Sequence, residues 1–349
     1  MDTPDTAPAT PLDAGAEAVV LIATYNRAAL LGRTLDALAR TSSSLRWQAV
    51  VIDNNSSDDT ARVVRERIAH FPVPLYYLFE RAQGRSSALN AGIAATSAPV
   101  IAFTDDDVIV PPGWLDAACR PLLERGDIEY TGGPVRPLWE SPRPAWLDAA
   151  RGDLWGTIAI QDHGPEPFIY EERRKVPLGA NMAARRSLFD RIGLFRADLG
   201  RTSGKKILGQ EVPELLSRAR AAGARGLYVP AMGLDHHVPA QRLTKSYFRR
   251  WWYGKGVSRA ALDRIRPVTE LGIDLAAVRR LAGVPRFMWG DAARDVARYL
   301  AATVRRDPIA RARHEMMLAY FAGYVAGSRR RVPPDRDVSL VAGSHVKAA

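Results

Sequence analysis

Asp105, Asp106 and Asp107 stand in a row at the end of the apolar run Val100-Ile101-Ala102-Phe103-Thr104. Adjacent carboxylates repel one another, so such a row either raises its own pKa or binds a cation. Hard divalent ions such as Mg2+ or Mn2+ suit carboxylate oxygens and commonly share them with a substrate phosphate. Two other polar groups follow apolar runs in the same way: Thr24-Tyr25-Asn26-Arg27 and Asp53-Asn54-Asn55-Ser56. An acid in the position of Asp53 is placed to hydrogen-bond a base or a ribose. Gly84-Arg85-Ser86 opens a helix-like stretch, where backbone N–H groups and a guanidinium favour an anion. Together these groups describe a nucleotide-diphosphate site with a metal.

Such a site needs elements that bring its parts to one edge. Ala18-Val19-Val20-Leu21-Ile22-Ala23, Ala49-Val50-Val51-Ile52, Leu75-Tyr76-Tyr77-Leu78 and Val100-Ile101-Ala102-Phe103 read as strands, the first being a continuous apolar run of the kind buried on both faces. Leu31, Leu35 and Leu38 recur at helical spacing, Ser57-Asp58-Asp59 can cap a helix through Val63, Val64 and Ile68, and a further helix runs from Ser86 to about Ala95. Strand–helix alternation of this kind means βαβ units and a mainly parallel sheet. Ligands bind outside the carboxyl ends of such strands, which is where all three polar groups fall. Pro111-Pro112-Gly113 begins a helix over Trp114 to Leu123, and Gly223 closes another that starts at Glu211 or Glu214. Prolines and glycines between about 128 and 180 predict strands and loops, and from about 243 onward the chain reads as helical.

The 349 residues carry one cysteine, Cys119. That excludes an internal disulfide framework and a cysteine-based zinc site, and makes a reducing cytoplasm the expected compartment. No apolar run reaches the roughly 18–20 residues that span a bilayer. Residues 1–17 read as a flexible leader and 331–349 as a flexible tail. The net charge of +11 favours polyanionic partners. No G-x-G-x-x-G follows the first strand and no G-x-x-x-x-G-K-[ST] occurs, which disfavours dinucleotide and P-loop folds. A sugar-1-phosphate nucleotidyltransferase would need a Gly-rich basic loop after the first strand, where Thr24-Tyr25-Asn26-Arg27 stands. The aromatic–basic stretch matches no nucleic-acid recognition motif, so nucleic acid is not an expected partner.

Ala23-Thr24-Tyr25-Asn26-Arg27, Val51 to Thr60, Gly84 to Gly92 and Phe103-Thr104-Asp105-Asp106-Asp107 together, in this order and spacing, resemble a family-2 glycosyltransferase. The likeness extends over roughly residues 18–240. It implies an α/β fold of the GT-A nucleotide-diphospho-sugar transferase type, with a mainly parallel central sheet flanked by helices and a helical C-terminal extension. The domain boundaries expected are 18–242 for the catalytic domain (18–127 for nucleotide, 128–242 for acceptor) and 243–330 for the extension. The resemblance implies that Thr24, Asn26 and Arg27 line the nucleotide pocket, with Asp53 facing uracil or another base. Arg85 and Asn90 would position the nucleotide and its diphosphate. Asp105 and Asp106 belong to the nucleotide side of the acidic row, Asp105 toward sugar or ribose, and Asp107 ligates Mn2+ or Mg2+. Competing structural readings are a turn acid for Asp53 and a plain helix position for Asn90.

Downstream, Val176-Pro177-Leu178-Gly179-Ala180-Asn181-Met182 resembles the family's acceptor-side segment, so Gly179, Ala180 and Asn181 are expected at the acceptor. Asp235-His236-His237-Val238-Pro239 resembles a segment that supplies a histidine near the metal, and His236 is preferred to His237; imidazole can ligate Mn2+. An inverting transfer needs a carboxylate to accept the acceptor hydroxyl's proton. The family's acid-acid-x-Glu-Leu is here Glu211-Val212-Pro213-Glu214-Leu215, and Val212 cannot take a proton. Glu211 and Glu214 are the remaining candidates, Glu211 preferred, with Glu214 alternatively a favourable charge at a helix N-terminus. Val212 also keeps open a catalytically silent module that binds nucleotide-sugar or glycan.

The resemblance fades past about residue 243. Tyr247 to Gly256 mixes aromatics with cations, and Val296, Leu300 and Val304 recur one turn apart near Arg305 and Arg306. These patterns suit a peripheral contact with anionic membrane; a helical cap on the catalytic domain is the competing reading. The function expected is metal-dependent, inverting transfer of a sugar from a nucleotide-diphosphate donor, a UDP-sugar first, to a hydroxyl of a glycan or lipid-linked acceptor. It would serve cell-surface polysaccharide or glycolipid synthesis, in the cytoplasm or at the inner face of the cell membrane.

Overall fold

Seven residues, Ala18–Thr24, form strand β1, and all but Ala23 are buried. Seven more, Trp47–Asp53, form β2 and are buried throughout. Strands covered on both faces are mainly apolar, and these two lie side by side in the main sheet. In a computed structural model of the chain, residues 12, 15–148, 153–199 and 209–330 are described; most of the expected leader and all of the expected tail lie outside them.

The chain runs β1, α1 (Ala28–Leu38), β2, α2 (Thr60–Ile68), β3 (Leu75–Phe79), α3 (Arg85–Ala94), β4 (Val100–Asp105), β5 (Val108–Ile109) and α4 (Trp114–Glu124). It continues through β6 (Tyr130–Gly132), β7 (Val135–Trp139), β8 (Phe168–Ile169), α5 (Tyr170–Arg173), β9 (Asn181–Arg185), α6 (Arg186–Ile192), α7 (Glu211–Ala221), β10 (Gly226–Tyr228) and β11 (Leu234–Val238). The C-terminal part is α8 (Lys245–Ile265), β12 (Arg280–Leu281), β13 (Val284–Pro285), α9 (Arg286–Val304) and α10 (Pro308–Ser328).

Among the described residues, an eight-stranded sheet has the order β3-β2-β1-β4-β9-β6-β10-β8. β1 pairs in parallel with β2 and β4, and β2 with β3. β9 is antiparallel to both β4 and β6, so β6 and its parallel partner β10 run with the first four strands. The mainly parallel sheet flanked by helices is therefore present, as is the helical C-terminal region. A second, three-stranded sheet, β5-β11-β7, stands at the ligand edge.

Two expectations for the C-terminal part need correction. The helical run from 243 is broken between α8 and α9 by the β12–β13 hairpin. Its two-residue turn, Ala282-Gly283, has φ of 51° and 78°, the type I′ combination that suits a hairpin. The aromatic–basic stretch of α8 is not a free amphipathic surface either. Phe248 and Trp252 are buried, with Phe248 edge-on to Trp146 at 4.9 Å and Trp252 edge-on to Tyr320 at 6.1 Å. Lys255 lies over the Trp251 and Trp252 rings at 5.1 and 4.7 Å. Phe248, Trp252, Ala312 and Met316 belong to the same apolar core as β1, β2 and β4.

Candidate functional site

Strand register builds the site. Thr24 lies opposite Asp53, and Ala23 opposite Asp105, so the polar ends of β1, β2 and β4 emerge side by side. Asn26 and Asn55 adopt positive φ (50° and 67°), a conformation asparagine tolerates better than most residues. This lets the two loops clamp each other: Asn26 Oδ1 accepts from Ser57 N at 2.7 Å, and Asn26 N donates to Ser56 Oγ at 2.9 Å. Asp53 is buried, accepting from Tyr77 Oη at 2.7 Å and Ser56 N at 2.8 Å. Asn54 Oδ1 accepts from Gly84 N at 2.7 Å, and its Nδ2 donates to the Ala82 carbonyl at 2.7 Å. Asn54 thereby fixes the loop that delivers Arg85 at the start of α3. Gly84 has φ 136°, which a side chain would strain.

The three aspartates face different ways. Asp106 turns inward, accepting from Thr24 Oγ1 at 2.8 Å and Arg27 Nη1 at 2.9 Å. Burial pushes its pKa up to about 6, opposed by Arg27 and reinforced by Asp107. Asp107 Oδ2 takes a second bond from Arg27 Nη1, at 2.8 Å. Burial alone would raise Asp107 too, but His236, Arg27 and Arg242 outweigh it and hold that carboxyl well below the usual range. Asp105 Oδ1 accepts from Arg85 Nη2 at 2.8 Å.

β11 supplies the imidazole. Its His236 pairs in register with Val108, directly after the aspartates, which sets His236 Nε2 3.3 Å from Asp107 Oδ1. Asp105, Asp107 and His236 each offer a ligand atom, all within 4.8 Å of one another. Asp107 Oδ1 is buried and makes no well-aligned hydrogen bond, His236 Nε2 standing 3.3 Å away, a costly condition that a cation relieves. Two carboxylates and an imidazole suit Mn2+ or Mg2+, so these residues fit a divalent ion.

Arg85 joins this cluster to the other half of the domain. Its Nη2 donates to the Gly179 carbonyl at 3.0 Å, and its Nη1 lies 3.8 Å from Glu211 Oε1. Burial would lower the Arg85 pKa; Asp105 and Glu211 reverse that and raise it. Glu211 is 5% exposed, and its Oε2 is buried without a hydrogen-bond partner.

Other expected site residues are engaged elsewhere. Glu214 is fully buried, bonded by Arg218 Nη2 at 2.8 Å and Arg266 Nε at 3.2 Å. Asn90 pairs with the Phe195 backbone through both ends of its amide, at 2.8 and 3.0 Å. Asn181 is buried, accepting from Trp114 Nε1 and donating to the Pro134 and Met232 carbonyls. The Ala180 carbonyl accepts from Thr104 Oγ1 at 3.1 Å. Gly179 alone of its segment lies beside Arg85, and a Cβ there would also press on Val212. The sequence reading missed Tyr77 and the anchoring part of Asn54. Asn54 stood inside a quoted motif, while nothing in the chain marks Tyr77 beyond its place on the neighbouring strand.

The model of glycosyl transferase family 2 matches residues 19–193, which contain the β1, β2 and β4 ends just described. The chain belongs to glycosyl transferase family 2. It is an enzyme family, and the fold is of GT-A type. A glucosyl-dolichyl phosphate glucuronosyltransferase of Haloferax volcanii is 22% identical to this family-2 chain over 253 residues, covering 71% of it and 78% of the relative. A validoxylamine A glucosyltransferase of Streptomyces hygroscopicus subsp. jinggangensis is 41% identical over 101 residues, 28% of this chain and 24% of the relative, so that likeness is confined to a segment. A mannosyltransferase from Pyrobaculum calidifontis, solved in complex with GDP-Man and Mn2+, superposes with a TM-score of 0.60 at 19% identity, over 92% of this chain and 89% of that one. Among the described residues no helix is long and apolar enough to cross a membrane.

Proposed function

We propose that this family-2 glycosyltransferase moves a sugar from a nucleotide-diphosphate donor, a UDP-sugar first, to a hydroxyl of a glycan or lipid-linked acceptor with inversion. The observation that carries the reading is the joining of the Asp105–Asp107–His236 cluster to Glu211 through one guanidinium, Arg85. Asp105, Asp107 and His236 would hold Mn2+ or Mg2+, and a bound ion there neutralises a leaving diphosphate. Asp53, oriented by Tyr77, serves the base or ribose. Glu211 takes the proton of the acceptor hydroxyl as that oxygen bonds to the anomeric carbon and the bond to the diphosphate breaks; one displacement inverts the centre. The names of the Haloferax and Streptomyces relatives support saccharide transfer, and the first supports a lipid-linked acceptor.

Thermal-shift titration with UDP, GDP, CDP and dTDP, each with and without Mn2+, tests the donor side, because a ligand of the folded state raises the melting temperature by mass action. The expected result is a Mn2+-dependent shift with UDP that Asp107→Ala abolishes. A shift with GDP instead changes the donor; a full shift in Asp107→Ala removes that residue from the metal site. No shift with any nucleotide overturns the reading.

A further inference from the structure

Helix α9 has two distinct faces. One, bearing Met288, Ala292, Asp295, Tyr299 and Ala302, is buried or half-buried, with Asp295 bonded to His314 of α10 at 2.8 Å. The other is apolar and turned to solvent: Trp289 is 37% exposed, Val296 47%, Leu300 59% and Val304 84%. At 3.6 residues per turn these four side chains fall within about 80° of arc, and Ala293 and Ala297, both exposed, fill the gaps. Isolated exposed apolar residues are ordinary, but a continuous stripe along one helix is not. Arg294, paired with Asp291, and Arg298 and Arg305 lie on an exposed polar face centred about 140° of arc from the stripe, and Arg306 and Arg311 follow in the chain.

We propose that α9 seats the enzyme on the surface of a lipid bilayer containing anionic phospholipid. An aliphatic stripe with a tryptophan at one end and arginines on the polar face is the composition of a helix lying in the bilayer interface. The stripe inserts among the acyl chains, Trp289 sits at the boundary, and the arginines reach headgroup phosphates with their long stems. The chain's net charge of +11 selects an anionic surface over a second copy of the chain, which carries the same charge. In the α8 segment Tyr247 to Gly256, Phe248 and Trp252 are core residues, and Tyr253 is its exposed large apolar side chain. The inference depends on α9 and not on the transfer chemistry, so it stands or falls apart from the metal site.

Flotation of the full chain with phosphatidylcholine vesicles, with and without phosphatidylglycerol, tests it, alongside Leu300→Glu/Val304→Glu and Arg294→Gln/Arg298→Gln/Arg305→Gln variants. These side chains lie outside the core, so unchanged melting temperatures should accompany both. The expected result is binding to the anionic vesicles that salt weakens. Each variant should bind at least about tenfold more weakly, the first through lost insertion and the second through lost charge. Binding by the glutamate variant equal to wild type overturns the proposal. So does absence of the wild-type chain from anionic vesicles at low salt, or a dimer in solution that the glutamate variant dissociates.

Discussion

Glu214, sealed at the start of α7, has both oxygens taken by Arg218 and Arg266, while Glu211, one turn earlier, keeps Oε2 unpartnered beside Arg85. Neutralising the two should therefore have opposite consequences. Glu211→Gln is expected to lower transfer by about 10²–10⁴-fold, with nucleotide affinity and melting temperature unchanged. Glu214→Gln leaves two arginines without their carboxylate and should cost about 3–5 kcal/mol of stability, read as an earlier denaturant midpoint. A Glu214 variant with wild-type stability and no turnover would exchange these roles. At this scale the sequence showed the aspartate row because its residues are neighbours in the chain. It did not show that Asn90 and Asn181 hold backbone groups. Their partners are backbone groups of Phe195, Pro134 and Met232, far along the chain, and nothing in an asparagine's neighbours announces such a bond.

β1, β2 and β4 were legible because strands buried on both faces must be apolar, whatever they pair with. β11 was not, since Leu234–Val238 alternates in burial and contains two histidines; its strand character comes from β5 and β7 on either side. The α8–α10 contact was equally hidden. There the helices touch backbone to backbone: a Cβ on Gly323 would collide with the Tyr253 carbonyl, and one on Gly256 with the Tyr320 carbonyl. Gly323→Val must force the helices apart and should cost at least about 1–3 kcal/mol. Ala322→Val, on the exposed side of α10, is the matched control. Urea unfolding of both checks this, and equal midpoints would mean that the close approach is not maintained in solution.

The expected boundary at 243 falls within a continuous apolar core, because Phe248, Trp252 and Met316 share one buried cluster with residues of the central sheet. Periodicity could identify the C-terminal helices but not what they cover. The same interior sets a limit at high pH. Burial raises the pKa of Tyr130 and Tyr170 well above 10.0, and of Tyr324 to about 12, the last with help from Asp263. Each native phenol therefore holds its proton more tightly than the unfolded chain does. That contribution to stability is complete below pH 10 and is lost as pH rises, Tyr324's share being gone by about 12. Denaturant midpoints measured across this range should fall steadily; a flat profile would show that water reaches these phenols.

Asp107 and His236 meet through β11, yet the chain from α4 to β10 lies between them in sequence. The proposed metal site is therefore expected to be completed late in folding. Closing so long a loop is slow, and before β11 docks only the carboxylates could offer weak, hydrated attraction to a cation. Tight capture of an ion there would report that β11 has docked against β5. In refolding experiments, high-affinity Mn2+ uptake should follow the slowest phase in tryptophan fluorescence. Uptake ahead of that phase would mean that the aspartates alone suffice and that the imidazole joins a site already filled.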